Sequence, residues 1–331
     1  MPNPVQSITF QAMNTHIDLM FVAEPTAVAP IERFAVDSFR AAEERFSRFI
    51  SGSELSQLNR VAGARCLVSE PMIEVLLLTE GYRQITDGAF NPLILQALEH
   101  LGYRETFDLV KQRAEYPVQP EEISVVNLAE LLIDPSMKSI KLPPQSKLDL
   151  GGIVKSWTVD RLASDLRSLF GVQQAFVNAG GDLTAWGGSF TSGDPWVIGI
   201  EDPWDTQVDI GILTLTDGAV ATSSKLGRQW STSQGMMHHL IDPVRMLPSH
   251  SDVVQCTVIG PNVMDCEVWS KTICIRGFEV GLALFEQNTL GYEALLFTSD
   301  RRVHYYGSES SLGQTWHGIP IDQCRFRPAI I

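Results

Sequence analysis

Paired cysteines, positive charge and long apolar runs are all scarce in this 331-residue chain. Cys66, Cys256, Cys266, Cys274 and Cys324 are odd in number and form no Cys-x-x-Cys pair. That argues against a disulfide framework or a cysteine zinc site, and for free thiols in a reducing compartment, the cytoplasm. Lys and Arg number 25 against 39 Asp and Glu, a formal net charge of −14. Nucleic acid as a primary partner needs a basic field, so that class is excluded; a nucleotide held by a few local donors is not. No stretch reaches the roughly 18 uninterrupted apolar residues of a membrane span. The start, Met1 to Gln6, lacks the basic and apolar regions of an export signal. There is no internal repeat, low-complexity tract or clean βαβ alternation, which points to an α+β chain.

What is present is enough apolar residue, 44%, to bury a proper core. Ser7 to Ala23 reads as a strand pair around Met13-Asn14-Thr15. Helical spacing predicts helices over Ile31–Phe49, Ser53–Asn59, Pro71–Ile85, Ile153–Phe170, Val263–Arg276 and Phe278–Glu286. Leu131–Asp134 and Ser139–Leu142 read as a short hairpin. Further strands are expected at Ala175–Ala179, Trp196–Ile200, Ile210–Leu215, Val253–Ile259, Leu295–Phe297 and Val303–Tyr306.

The segments with chemical content are few. Asp149-Leu150-Gly151-Gly152 leads into a helix carrying Lys155. Glycines at a strand-to-helix junction let backbone N–H groups approach an anion, and a lysine in the first turn adds a point charge for phosphate; the bland alternative is a tight turn. Asn178-Ala179-Gly180-Gly181-Asp182 is a second glycine-paired turn, by itself an ordinary strand ending. Thr222-Ser223-Ser224 offers three hydroxyls and in isolation reads as a solvated loop. In Met237-His238-His239-Leu240-Ile241-Asp242-Pro243 adjacent histidines point to opposite faces of a strand, so at most one faces a given site. Glu267 and Lys271 stand at i and i+4 on one helix face. On a surface that pair is worth about 0.3–0.5 kcal/mol, but Trp269, Ile273 and Cys274 make this helix mostly apolar, where charges are paired or functional.

In this order, from about Met13 to Arg276, these segments resemble the ApbE family, the FAD:protein FMN transferases. The resemblance rests on Met13-Asn14-Thr15, Ser53-Glu54-Leu55, Gly88-Ala89-Phe90-Asn91, Asp149–Ile153, Asn178–Asp182, Ala221-Thr222-Ser223 and His239–Pro243. It implies a T-fold-like α+β architecture, with mixed and antiparallel sheets packed with helices around an FAD cleft. One domain is expected over residues 1–331, divisible into lobes of about 1–145 and 146–331. The implied reaction is Mg²⁺-dependent: FMN passes from FAD to a Thr or Ser hydroxyl of an acceptor flavoprotein and AMP leaves. The acceptor would bear an Asp/Ser-Gly-x-Thr type of target.

The resemblance also implies roles. Met13 lies near the flavin, and Phe49 falls where the family often has a tyrosine against the isoalloxazine ring. Ala89, Phe90 and Asn91 match an adenosine-contacting stretch, with asparagine in place of aspartate. Asp149, Lys155 and His239 match FAD-contacting positions, and Gly152 a backbone metal ligand. By their own chemistry, His239 and Asp242 are the candidate general bases, a choice left to geometry. Where the family's helix carries Asp-x-x-x-Thr for Mg²⁺, this chain has Glu267 and Lys271, with Ser270 between them. An ammonium cannot ligate a cation. Lys271 then either replaces part of the metal's charge, contacting the FAD diphosphate or pairing with Glu267, or metal affinity is weakened. Asn14 replaces a glycine, and Val244–Leu247 departs from the usual Arg/Lys-Thr-Gly loop. An FAD pyrophosphatase giving FMN and AMP, and a non-catalytic FAD binder, remain as alternative readings.

Overall fold

A computed structural model describes residues 4–113, 115, 116, 118, 131–189 and 194–327. Its centre is a nine-stranded sheet. The strand order is Val5–Ala12, Thr15–Val22, Ala175–Ala179, Asp182–Trp186, Gly218–Ser224, Val253–Gly260, Glu293–Thr298, Val303–Gly307 and Gln323–Phe326. Neighbours are antiparallel, except that the last strand runs parallel to the one beside it.

Both faces of this sheet are buried, and the two-residue period of a strand assigns each side chain to one of them. In Val253–Gly260, Cys256 and Val258 join one core cluster and Ile259 the other; in Glu293–Thr298, Ala294 and Leu296 join the first, Leu295 and Phe297 the second. Helices Pro25–Phe46, Val154–Ser168, Val263–Arg276 and Phe278–Asn288 cover the first face. A three-stranded sheet of Trp196–Asp202, Asp205–Leu215 and Trp316–His317 covers the second through Ile200, Leu213 and Trp316. A further cluster joins Phe46, the helices Glu54–Arg60 and Glu70–Ile85, and a small sheet of Arg65–Leu67, Ser139–Lys141 and Leu132–Asp134.

Local chemistry sets the joints. Ser53, Ser69 and Asn262 cap their helices, each side-chain oxygen accepting a first-turn N–H. Met13 and Asn14 have φ of 52° and 56°, as a two-residue hairpin that follows strand twist demands. At Gly180, φ is +61° and a Cβ would lie 2.1 Å from Thr15 Oγ1; glycine lets this turn nest against the first hairpin.

The expected α+β class, the first strand pair and the helix Val263–Arg276 are observed as read. The first long helix differs: it runs Pro25–Phe46, not Ile31–Phe49, with Pro30 in its interior. Thr222-Ser223-Ser224 is not a solvated loop but part of the central strand Gly218–Ser224; it continues the buried Ala219-Val220-Ala221 run and pairs with Gln255–Thr257. The hairpin near 131–142 gains a third strand, Arg65–Leu67, that three residues could not announce. Thr15–Val22 pairs with Ala175–Ala179, so the main sheet is continuous across the expected lobe boundary at 145/146. Among the described residues no helix is long and apolar enough to cross a membrane.

Phe285 is fully buried, edge-on to Trp269 at 5.8 Å and Tyr306 at 5.6 Å. Phe285→Ala is expected to lower unfolding free energy by about 3–5 kcal/mol, read from urea midpoints; a loss below about 1 kcal/mol would contradict this packing.

Candidate active site

A cleft of about 730 Å³ opens where the first hairpin turn, the segment Asp149–Lys155 and helix Val263–Arg276 meet, within the range of small-ligand sites. Its chemistry comes from two buried ion pairs. Lys155 Nζ lies 2.7 Å from Asp182 Oδ2, with the Asp182 side chain 2% exposed. One helix away, Lys271 donates to Glu267 Oε1, and the Glu267 side chain is 3% exposed. The second carboxylate oxygen, Glu267 Oε2, is buried with no hydrogen-bond partner among the described residues.

The carboxyls diverge in acidity. Burial raises Asp182, the Glu267 charge raises it further, and Lys155 and Lys271 do not overcome both. Burial also works against the Glu267 charge, but Lys271 and Lys155 outweigh it and hold that carboxyl below its ordinary value. Glu267 therefore keeps the negative charge while Asp182 takes up a proton more readily.

The first wall is aromatic and cationic. Arg48 Nε pairs with Asp149 Oδ2 at 2.8 Å, both side chains largely buried. Its guanidinium lies 4.2 Å from the Phe49 ring centre and 4.5 Å from that of Tyr103, and Nη1 donates to the Tyr103 carbonyl at 2.7 Å. Asp149 Oδ1 meanwhile accepts from Gly151 N at 2.6 Å. Asp149 is thus fully engaged in ordering the wall. Gly151 and Gly152 are not in the left-handed region; space favours glycine at 152, where a Cβ would stand tight against Phe90 Cε2 at 3.2 Å and in contact with Lys271 Cε at 3.5 Å.

Of the residues singled out in the sequence, Met13, Phe49, Asp149, Gly152, Lys155 and His239 line this cleft. So do Ala89, Phe90, Asn91, Glu267 and Lys271. Asp242 and Ser270 are not brought in. Asp242 Oδ1 accepts from Val244 N at 2.9 Å, tightening the turn of the hairpin Ile241–Asp242/Leu247–Pro248. Ser270 is fully buried, bonded to Ser223 Oγ at 2.9 Å and donating to the Glu267 carbonyl. The i+3 position from Glu267 turned it toward the sheet.

The histidine pair separates, with His238 ending the strand Gly235–His238 and His239 just beyond it. His238 Nε2 meets Ser249 O at 3.1 Å while its Nδ1 accepts from Leu240 N at 3.3 Å; burial pushes its pKa down to about 4. His239 lines the cleft, and its Nδ1 is buried without a hydrogen-bond partner among the described residues. Burial, then Arg228 and Lys271, hold its pKa well below the ordinary value, so the ring is neutral. Sequence reasoning missed Asp182, Arg48 and Tyr103 as site residues. Asp182 closed a quoted glycine motif and was legible as a lysine partner; nothing near Arg48 or Tyr103 marks them.

Mg²⁺ takes oxygen ligands in a near-octahedral set. Here Glu267 Oε1 holds an ammonium, Asp182 holds another and the Ser270 hydroxyl is spent on Ser223. No cluster of three or more His, Cys, Asp or Glu able to hold a metal exists among the described residues. This donor set does not fit a magnesium ion.

Fold and site together define an α+β protein with a cleft that sets two buried lysines beside an aromatic wall. The chain matches the ApbE family over residues 13–296 and belongs to that family. It is 28% identical to the FAD:protein FMN transferase of Klebsiella pneumoniae over 258 residues, 76% of this chain and 77% of that one. Identity to the same-named protein of Vibrio cholerae is 27%, over 89% of each chain. The ApbE protein of Thermotoga maritima superposes with a TM-score of 0.79 at 22% identity, over 91% of this chain and 96% of the other. The flavin transferase ApbE of Vibrio cholerae gives 0.76 at 23%, over 92% and 97%.

Two outcomes follow. Lys155→Met strands the Asp182 carboxyl and is expected to cost about 3–5 kcal/mol by urea unfolding; adding Asp182→Asn should recover most of it. Because the folded pKa of His238 is depressed, its contribution is present above the unfolded value near 6.5 and lost as pH falls through about 4. Wild type should therefore lose stability relative to His238→Gln on acidification across that window, and parallel pH profiles would contradict the assignment.

Proposed function

We propose that this protein is an FAD:protein FMN transferase, which moves FMN from FAD to a Thr or Ser hydroxyl of an acceptor flavoprotein and releases AMP. The observation that carries this reading is the convergence of the Lys155 and Lys271 ammonium groups on one cleft beside the Phe49–Arg48–Tyr103 wall. Phosphoryl transfer asks for positioning and charge compensation more than for covalent chemistry. Two lysines suit a diphosphate, and an aromatic and guanidinium wall suits an isoalloxazine ring. Ala89, Phe90 and Asn91 lie at the cleft as the adenosine contacts of this reading.

The acceptor oxygen forms a bond to the phosphorus of the FMN half. The phosphorus–oxygen bond to the AMP phosphate breaks, and AMP leaves with the bonding pair. His239 takes the hydroxyl proton: it is neutral, lines the cleft and carries an Nδ1 with no hydrogen-bond partner among the described residues. Asp242, the other candidate, is engaged in its own turn. Gly152 leaves room for Phe90 and Lys271, and Met13 donates its backbone N–H to Glu43 at 3.1 Å, which fixes the hairpin tip at the cleft. The five free cysteines support a reducing, cytoplasmic setting.

The test is incubation with FAD and an acceptor bearing an Asp/Ser-Gly-x-Thr target. A covalently fluorescent acceptor together with AMP is the expected result. Free FMN and AMP without labelling would make the protein a hydrolase, and intact bound FAD a binder. His239→Asn should lower labelling about 10²- to 10⁴-fold, far more than it lowers FAD affinity; unchanged labelling would remove His239 from the base role.

A further inference from the structure

We propose that the Lys271 ammonium, seated on Glu267 and given room by Gly152, is a built-in replacement for a divalent cation, so that this chain binds the FAD diphosphate without one. The inference rests on the reading of the cleft as an FAD site. Glu267 and Lys271 are one helical turn apart on the face that meets the cleft, and the pair is almost wholly buried. A charge in such a place is retained only when it is compensated. The lysine stem is packed: its Cε and Cδ lie 3.5 and 3.7 Å from where a Cβ at residue 152 would stand. An alanine Cβ there would touch the lysine stem at ordinary contact distance and be tight only against Phe90 Cε2, at 3.2 Å.

A divalent ion and this ammonium exclude each other. Both would claim the Glu267 carboxylate, and like charges at contact distance repel strongly where water is absent. The nearest other carboxylate, Asp182, is bound to Lys155 at 2.7 Å, and the Ser270 hydroxyl faces Ser223. Two ammonium groups, each tethered by one carboxylate, line the cleft. A diphosphate entering the cleft competes with those carboxylates for the lysine N–H donors.

The experiment is FAD binding by the full chain, followed by flavin fluorescence in EDTA and in millimolar Mg²⁺, with Mn²⁺ as a paramagnetic probe of metal capture. Wild type is expected to bind FAD with the same affinity in both buffers and to leave the Mn²⁺ signal of an FAD control unchanged. Lys271→Met should weaken FAD by about tenfold or more, about 1.4 kcal/mol, with Mg²⁺ giving no recovery. The double change Glu267→Asp with Lys271→Thr should acquire Mg²⁺-dependent FAD binding. Wild-type affinity that collapses in EDTA and returns with Mg²⁺, or Mn²⁺ captured by the wild-type complex, would overturn the proposal without any variant having to fold. Absence of FAD binding in either buffer would instead overturn the FAD reading itself, and this inference with it.

Discussion

Buried charge is the constraint around which this cleft is organised. Lys155, Asp182, Glu267 and Lys271 sit where water is largely excluded, and none is tolerable there alone. Pairing makes them tolerable, and pairing needs three elements in register: the start of helix Val154–Ser168, the start of strand Asp182–Trp186 and the middle of helix Val263–Arg276. The glycine turns are placed to serve that register. Gly180-Gly181 brings Asp182 back under Lys155, and Gly152 opens the space that Lys271 fills.

Helix Val263–Arg276 therefore serves two masters. One face carries Cys266, Trp269 and Ile273 into the main core, while Glu267 and Lys271 reach the cleft. Because the sheet beneath is buried on both faces, the helix cannot slide without disturbing strands Gly218–Ser224 and Val253–Gly260 at once. The charged quartet inherits that rigidity, which is what preorganised electrostatics requires. Arg48 plays the matching part on the other wall. It ties Asp149 to two aromatic rings, so the carboxylate that sequence motifs mark as a ligand contact is occupied in building the surface.

Acidity in the cleft follows from the same geometry. Asp182 and Glu267 face each other and two lysines, and the carboxyl with the better cationic company keeps its charge. The two histidines show the same principle through hydrogen bonding. His238 has both ring nitrogens engaged and is structural, whereas its neighbour lines the cleft with a buried Nδ1 that has no hydrogen-bond partner among the described residues.

Much of this was legible in the chain itself. The hairpin at Met13-Asn14, the capped helices and the helix spacing of residues 263–276 are local signals, decided by residues a few positions apart. The ordered motifs from Met13 to Pro243 carried the family, and Lys271 in place of an oxygen donor was visible as a departure. Sequence could not say that Thr222-Ser223-Ser224 forms a central strand, since its partners lie about 35 residues on. Nor could it say that Arg48 reaches Asp149 and Tyr103, or that Ser270 turns from the cleft while Lys271 turns into it. Those are contacts between distant segments, set by which faces the two cores bury. Residue types and local periodicity determined what chemistry this protein carries; only the tertiary packing decided which charges meet, because compensation of buried charge depends on distance in space and not along the chain.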